Sequence, residues 1–467
     1  LAPPVSFFDA VLAGLAPDGG LYVPESWPTI APSPAARRAL VDGHYAEAAM
    51  HTLIALAPGE LSVAEARALA DGAYRDRASA GAPAWPQTVA PLVQIDTQSW
   101  VLELFHGPSL SFKDIAMQLI APLYELALAR NNQRLSVVCA TSGDTGGAAV
   151  EALKNRERID LFVLLPKGRV SAVQRRFMTS SGADNVFALE LDGDFDACQA
   201  VVKALFNDRA FADAAQLSGV NSINWARILA QSVYFRIAAE KLSAHGPVNF
   251  TVPTGNFGDA FSGYVAKQTG APIGSIQIAT NSNDILVRAL HTGRYERAAQ
   301  SFATLSPAMD IQVASNFERI LFEALDRDGA HVRQLYDQFA QNGGFDIPSQ
   351  ALAWLRTHFH AGSVDDGATQ MAMAQAWNQG DRGYLACPHT AIGLSCASSA
   401  RQGAHVYLAT AHPAKFPDTV FAATGDRPAL PVRCVDLYDR AEQITPVAND
   451  SEAVKRFIAK RSRAWRG

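Results

Sequence analysis

The chain has few cysteines, and they are not arranged to build anything. Cys139, Cys198, Cys387, Cys396 and Cys434 are an odd, widely spaced set in 467 residues, with no CxxC pair. Such a set argues against a disulfide framework or a zinc site, and a reducing compartment fits best. Long apolar runs are also missing: no stretch reaches the roughly 18 residues that a membrane span needs, and the N-terminal residues show no basic segment followed by an apolar one. Neither a membrane span nor a signal peptide is expected, and the chain reads as cytoplasmic. An excess of either charge is lacking too. The net charge is -5 and the basic residues are scattered, so no stripe suits nucleic acid or an anionic membrane. A chain that is 48% hydrophobic and 18% charged is an ordinary globular composition, long enough for two or three domains, with small molecules as its expected partners.

Residues 1 to 88 carry helical periodicity broken by Pro and Gly: Phe7 to Leu15, Pro34 to Val41, Tyr45 to Ile54 and Val63 to Arg77. From 89 to 282 the pattern becomes short β-branched runs alternating with amphipathic helices. Leu135 to Ala140, Ile159 to Leu165, Val186 to Leu191 and Val248 to Val252 read as strands. Gly147 to Lys154, Ala172 to Thr179, Asp196 to Phe206 and Trp225 to Leu242 read as helices. Such alternation predicts an α/β fold with mostly parallel sheets flanked by helices, in which ligands gather beyond the carboxyl ends of the strands. Residues 283 to 380 read as a helical insertion, and 381 to 435, with a strand at Val406 to Ala409, complete the α/β core. Residues 436 to 467 read as a peripheral helical tail.

The segment LELFHGPSLSFKDIAM, 102 to 117, places Lys113 between a turn and a helix. At a partly buried helix start, desolvation and the helix dipole both lower the proton affinity of an amine, as attack on a carbonyl requires. A solvated surface lysine is the plain alternative. The loop TGNFGD, Thr254 to Asp259, follows a strand and opens a helix, so its backbone amides form a cup for phosphate, and glycine lets the anion approach. TSGDTGG, Thr141 to Gly147, is a second strand-to-helix loop, in which Asp144 could cap the helix. In NSINWARI, Asn221 to Ile228, Arg227 suits a phosphate dianion, while a capped helix start with Arg227 on a solvated face is the alternative.

These stretches, in order with LAGLAPDGGLYVPE (12 to 25), SPAMDIQVASNFERIL (306 to 321), PHTAIG (388 to 393) and LATAHPAKF (408 to 416), resemble the threonine synthase family. That family comprises pyridoxal-phosphate enzymes of the tryptophan-synthase-β-like fold, fold type II. The resemblance implies Lys113 as the Schiff-base lysine. It further implies Gly255, Asn256, Phe257, Gly258 and Asp259 around the cofactor phosphate, and Thr410 at the pyridine nitrogen. Thr141, Ser142, Asp144 and Thr145 are implied for the substrate carboxylate, and Asn224 with Arg227 for the phosphate of O-phospho-L-homoserine. No metal is implied. Family members usually have an acidic residue where this chain has Cys387, which leaves any acidic role there in doubt. A thiol nucleophile at Cys387 lacks a base-orienting partner at recognisable spacing. His412 reads as a structural histidine before a proline, and Asn316, Glu318 and Arg319 as a buried polar brace. Another lyase of the same fold and a non-catalytic phosphate-metabolite binder are the alternatives.

Overall fold

The computed structural model describes residues 2–30, 44–74, 85, 88–141, 143–380, 383–396 and 403–467. The expected helix at Pro34 to Val41 lies outside them. Two sheets organise the chain. The larger has the order β1 (Leu92–Gln94), β2 (Ser99–Glu103), β12 (His405–Ala409), β7 (Val248–Pro253), β8 (Ile273–Thr280), β11 (Phe359–Ser363). Only the β1–β2 pair in it is antiparallel. The smaller has the order β13 (Thr445–Val447), β5 (Val186–Leu191), β4 (Ile159–Pro166), β3 (Leu135–Ala140), β6 (Leu217–Ser218), all parallel. A separate antiparallel pair joins β9 (Arg294–Glu296) to β10 (Gly344–Asp346).

Parallel strands covered on both faces read as continuous apolar runs, and β4, IDLFVLLP, is buried at every position. The helix Trp225–Leu242 is buried everywhere except Lys241, so it runs through the core rather than over it. Its register is set by Asn224, whose side chain accepts from the Ala226 amide and caps the helix. Beyond the carboxyl ends of β3, β7 and β12 lie Thr141, Thr254 and Thr410, so chemistry read from three distant motifs converges on one side of the two sheets.

Several expectations are corrected. The segment 283 to 380 is not wholly helical: β11 leaves it to pair with β8 at the edge of the large sheet. The tail is not peripheral, because β13 pairs with β5 and the helix Ser451–Arg461 buries Val454 and Ile458 against the small sheet. A charge fixes that docking. Asp160 is buried within β4 and takes the Arg463 guanidinium at 2.7 Å and the Arg463 amide at 2.6 Å. The helix expected from Gly147 begins earlier, at Asp144.

Because Ile458 is fully buried, Ile458→Ala should cost about 2–5 kcal/mol of unfolding free energy. Denaturant unfolding measures this; a loss within about 0.5 kcal/mol, as for a surface site, would return the tail to a peripheral role.

Candidate active site

Lys113 opens the helix Lys113–Arg130, and a tight turn before it is built around Asp114. The buried Asp114 carboxylate accepts from the Ser109 amide (2.9 Å), the Ser109 hydroxyl (2.6 Å) and the Ser111 amide (3.3 Å). Gly107 is required there, since a Cβ on it would lie 2.3 Å from the Asp114 Cβ. The turn therefore delivers Lys113 to one place. Its side chain is 12% exposed, and its Nζ stands 3.6 Å from Asp144 Oδ2. Burial lowers the proton affinity of the amine; Asp144 opposes that, while Arg227 and Lys415 reinforce it. The solvated-lysine alternative is excluded.

Asp144 does not cap its helix, contrary to one expectation. Gly143 occupies the cap position, and the Thr141 hydroxyl accepts from the Gly143 and Gly146 amides, both at 2.9 Å, closing the loop instead. The Asp144 carboxylate faces cations. Burial works to raise its proton affinity, but Lys415, at 2.7 Å, and Lys113 together hold it well below the usual carboxylate range. Thr141, Asp144 and Thr145 all line the cleft, and Ser142 lies outside the described residues.

In the second loop Phe257 takes φ 63° and precedes the helix Gly258–Gln268, whose first-turn amides have no acceptor within the helix. The Phe257 ring is buried among aromatics, 5.3 Å from Phe359 and 6.0 Å from Phe317, so it offers the cleft its backbone. The two glycines also answer neighbours in the protein. A Cβ on Gly255 would stand 3.0 Å from the Ala308 carbonyl oxygen, and one on Gly258 3.2 Å from Asn316 Nδ2. Asn256 and Asp259 line the same cleft. Asp259 accepts from the Tyr234 hydroxyl, and burial above all pushes its carboxyl up to about 7. Near neutral pH it is therefore held close to half protonation, and it does not set a full negative charge beside the cup.

Arg227 is 3% exposed, with Nη1 3.4 Å from the Val220 carbonyl and Nε without a partner among the described residues. It is on no solvated face. Asn224, expected beside it, is spent elsewhere: besides capping, its Nδ2 donates to the Val11 carbonyl (2.8 Å) and Tyr124 (3.0 Å). Asn221 and Ser222 line the cleft in its stead. Thr410 lines it too, its carbonyl accepting from the Phe112 amide at 2.8 Å.

Three contributions escape a reading by motif. Pro307 to Ile311 forms a wall of the cleft, held through Asp310, which accepts from Asn281 (2.7 Å), Asn283 (3.0 Å) and Thr304 (2.7 Å). His389 lines the cleft with both ring nitrogens unpartnered among the described residues, and burial lowers it to about 4. Lys415 is buried with its amine on Asp144. Cys387 is no nucleophile: it caps the helix Pro388–Ser395, accepting from the Thr390 amide at 3.5 Å, and burial raises its thiol. His412 is structural as expected, its Nδ1 accepting from the Ala414 amide at 3.1 Å.

A buried amine of lowered proton affinity, first-turn amides and an orphaned buried guanidinium fit a ligand carrying both a carbonyl and a phosphate. A family model described as "Pyridoxal-phosphate dependent enzyme" matches residues 87–411. The chain is thus one of the pyridoxal-phosphate-dependent enzymes of fold type II. Models described as "Threonine synthase N terminus" and "Threonine synthase, C-terminal" match residues 1–74 and 390–458. Threonine synthase of Pseudomonas aeruginosa is 42% identical over 463 residues, covering 98% of this chain and 96% of that one. The crystal structure of pyridoxal-phosphate-bound threonine synthase from Brucella melitensis superposes with a TM-score of 0.93 at 48% identity, covering 99% of this chain and 98% of that one. That of yeast threonine synthase gives 0.89 at 34% identity, covering 98% and 97%. The chain belongs to the threonine synthase family.

The buried neutral His389 makes stability depend on pH in a defined direction. Its folded value, about 4, lies below the ordinary 6.5, so between those pH values the unfolded chain binds a proton that the folded one does not. Stability is therefore lost as pH falls through that window. His389→Phe removes the titration, and near pH 4.5 the cofactor-free variant should gain about 2 kcal/mol over wild type relative to their difference at neutral pH. Unfolding curves at the two pH values test this; parallel pH dependence in both proteins would contradict it.

Proposed function

We propose that the protein converts O-phospho-L-homoserine and water into L-threonine and phosphate in the cytoplasm, with Lys113 carrying pyridoxal phosphate. One observation supports this above all: a buried amine of lowered proton affinity shares a cleft with a buried guanidinium whose Nε has no partner among the described residues. The amine answers a carbonyl cofactor. The guanidinium answers a phosphate that the cofactor cup does not already hold. When bound, pyridoxal phosphate supplies an electron sink for negative charge at the substrate Cα.

The residues divide the work. Amides at Gly255, Asn256, Phe257 and Gly258 hold the cofactor phosphate, and the Asp259 carboxyl, pushed up to about 7 by burial, opposes that anion with less than a full charge. The Thr410 hydroxyl faces the pyridine nitrogen and, being neutral, does not force a proton onto it. Thr141 and Thr145 belong to the loop that receives the substrate carboxylate; Asp144, facing Lys113 and Lys415, serves those amines instead. Arg227, with Asn221 and Ser222 beside it, receives the substrate phosphate and so orients the Cγ–O bond. Lys113, freed once the substrate amine takes its place, removes the proton from Cα. Its surroundings keep it competent for that task, since burial, Arg227 and Lys415 all favour the uncharged amine.

Arg227→Ala should weaken O-phosphohomoserine by about 1.5–3 kcal/mol, the worth of a charge-assisted contact, and an unphosphorylated amino acid far less. Spectral titration of the cofactor-loaded variant with both ligands measures the difference. Equal losses would make Arg227 structural and favour a lyase of the same fold that acts on an unphosphorylated amino acid.

Lys113→Ala should still bind pyridoxal phosphate through the amide cup, yet exchange the substrate Cα proton with solvent about 10²–10⁴-fold more slowly, the usual contribution of a positioned base. Deuterium incorporation at Cα, with both proteins saturated in cofactor and substrate, reads this directly. Wild-type exchange in the variant would remove Lys113 from the acid–base role.

A further inference from the structure

We propose that Lys415 is a positioning residue for Lys113, acting as the permanent counter-ion of Asp144 so that this carboxylate never depends on the Lys113 amine for its charge balance. The inference rests on the reading of Lys113 as the cofactor lysine. It begins from the two oxygens of Asp144, which are not equivalent. Oδ1 takes the Lys415 amine at 2.7 Å and the Gln174 amide at 2.9 Å. Oδ2 faces Lys113 Nζ at 3.6 Å, longer than a hydrogen bond. The carboxylate is paired with Lys415 and only leans towards Lys113.

Lys415 is locked in that role. It is 1% exposed, and its amine also donates to the Ser109 carbonyl at 2.8 Å. The segment that carries it is tied to the Lys113 turn by Phe112 N–H to Thr410 O (2.8 Å) and His412 N–H to Leu110 O (3.0 Å). The arrangement meets a need specific to a covalent lysine. If Lys113 were the sole partner of Asp144, attachment of the cofactor, which forms a C=N bond and releases water, would take away the ammonium and strand a buried carboxylate. Breaking a buried pair in that way is strongly unfavourable. With Lys415 in place, Asp144 keeps its partner whether Lys113 is a free amine or an imine.

The other groups facing Lys113 are few. Arg227 from the helix Trp225–Leu242 is a fixed positive charge, His389 from the helix Pro388–Ser395 is neutral, and Asp259 from the helix Gly258–Gln268, pushed up to about 7 by burial, carries only part of a negative charge near neutrality, in wild type and Lys415 variants alike. Removal of Lys415 then acts on Lys113 twice in one direction. It deletes a repelling cation, and it leaves Asp144 to pair with Lys113 as an ammonium. Lys113 becomes more basic, and the fraction of free amine at neutral pH falls.

The experiment uses cofactor-free wild type, Lys415→Met, Lys415→Gln, Lys415→Arg and the double variant Lys415→Met with Asp144→Asn. Each is mixed with pyridoxal phosphate over a pH series, the Schiff-base absorbance is followed, and borohydride trapping with peptide mapping identifies the lysine. In Lys415→Met and Lys415→Gln the midpoint of the rate profile should move to higher pH by about one unit, equivalent to about tenfold slower attachment at neutral pH. Lys415→Arg should stay near wild type, and the double variant should return to the wild-type midpoint or below it. Lys415→Gln keeps hydrogen bonding without the charge, so it decides the matter if Lys415→Met does not fold. An unmoved midpoint in a folded neutral variant overturns the proposal, as does an alkaline shift that survives Asp144→Asn. Trapping at a lysine other than Lys113 in wild type refutes the cofactor-lysine reading instead, and is recognisable as such.

Discussion

Arg319 is the constraint on which the shape of the cleft depends. Its guanidinium is 1% exposed and spans three parts of the chain: Nε donates to Tyr22 O at 3.0 Å, Nη2 to Ile223 O at 2.7 Å, and Nη1 to the Asn316 side chain. Asn316 carries the connection onward, donating through Nδ2 to Ser222 O (3.2 Å) and Asn256 O (3.1 Å), while its amide also meets Asn256 O at 3.0 Å. A planar fork of donors with no water to fall back on tolerates little displacement of its acceptors. The N-terminal region, the wall from Asn221 to Ile223 and the loop from Gly255 to Gly258 are therefore fixed relative to one another by one buried cation. Burial lowers Arg319 to about 9, opposed by Glu318, so it remains charged at neutral pH. Its bonds keep their charge-assisted strength.

With the walls fixed, the charges inside the cleft follow one plan. Cations are retained and negative charges are muted. Asp259 is held near half protonation, Asp144 is matched by Lys415, and His389 stays neutral because of its burial. What remains only partly matched is the positive charge of Arg227, together with the helix amides after Phe257. A cleft meant to hold two phosphate groups with an amino acid's carboxylate needs such an excess, since each anion gives up its hydration on entry. The same excess favours the uncharged form of Lys113, so anion binding and amine reactivity come from one distribution of charge.

How much of this could be read from the chain depends on whether a signal is local. The helices Ala172–Thr179 and Trp225–Leu242 read at their observed limits because each carries its own cap, Ser171 with Gln174 in one case and Asn224 in the other. The strand β8 was not read, since Gly274 and Ser275 interrupt its apolar run, and β11, FHAGS, has no period at all and owes its form to pairing with β8. In the site, the gathering of Lys113 and the two glycine loops on one cleft is legible because turn, strand and helix punctuation surround them. The place of Asn224 is not, because a capping amide and a ligand-facing one look alike in sequence, and only the Val11 carbonyl beneath it distinguishes them. The wall from Pro307 to Ile311 and the orphaned His389 came from the fold alone, as neither has a local pattern that says what it will face.

Cys387 shows how far the charge plan reaches. It occupies the cap of the helix Pro388–Ser395, and this helix delivers His389 to the cleft. A carboxylate would cap more strongly than a thiol, which accepts from the Thr390 amide at 3.5 Å and lies 3.2 Å from the Thr390 hydroxyl. It would also bring a second negative charge into a fully buried position that already feels Asp144. The cation that Asp144 holds is committed at Oδ1. A carboxylate at 387, repelled by Asp144 and buried, would take up a proton and lose its advantage as a cap. The thiol, pushed up by burial, adds no charge at neutral pH. This chain holds its cap with a weaker acceptor, and Asp144 stays the carboxylate that chiefly raises the proton affinity of Lys113.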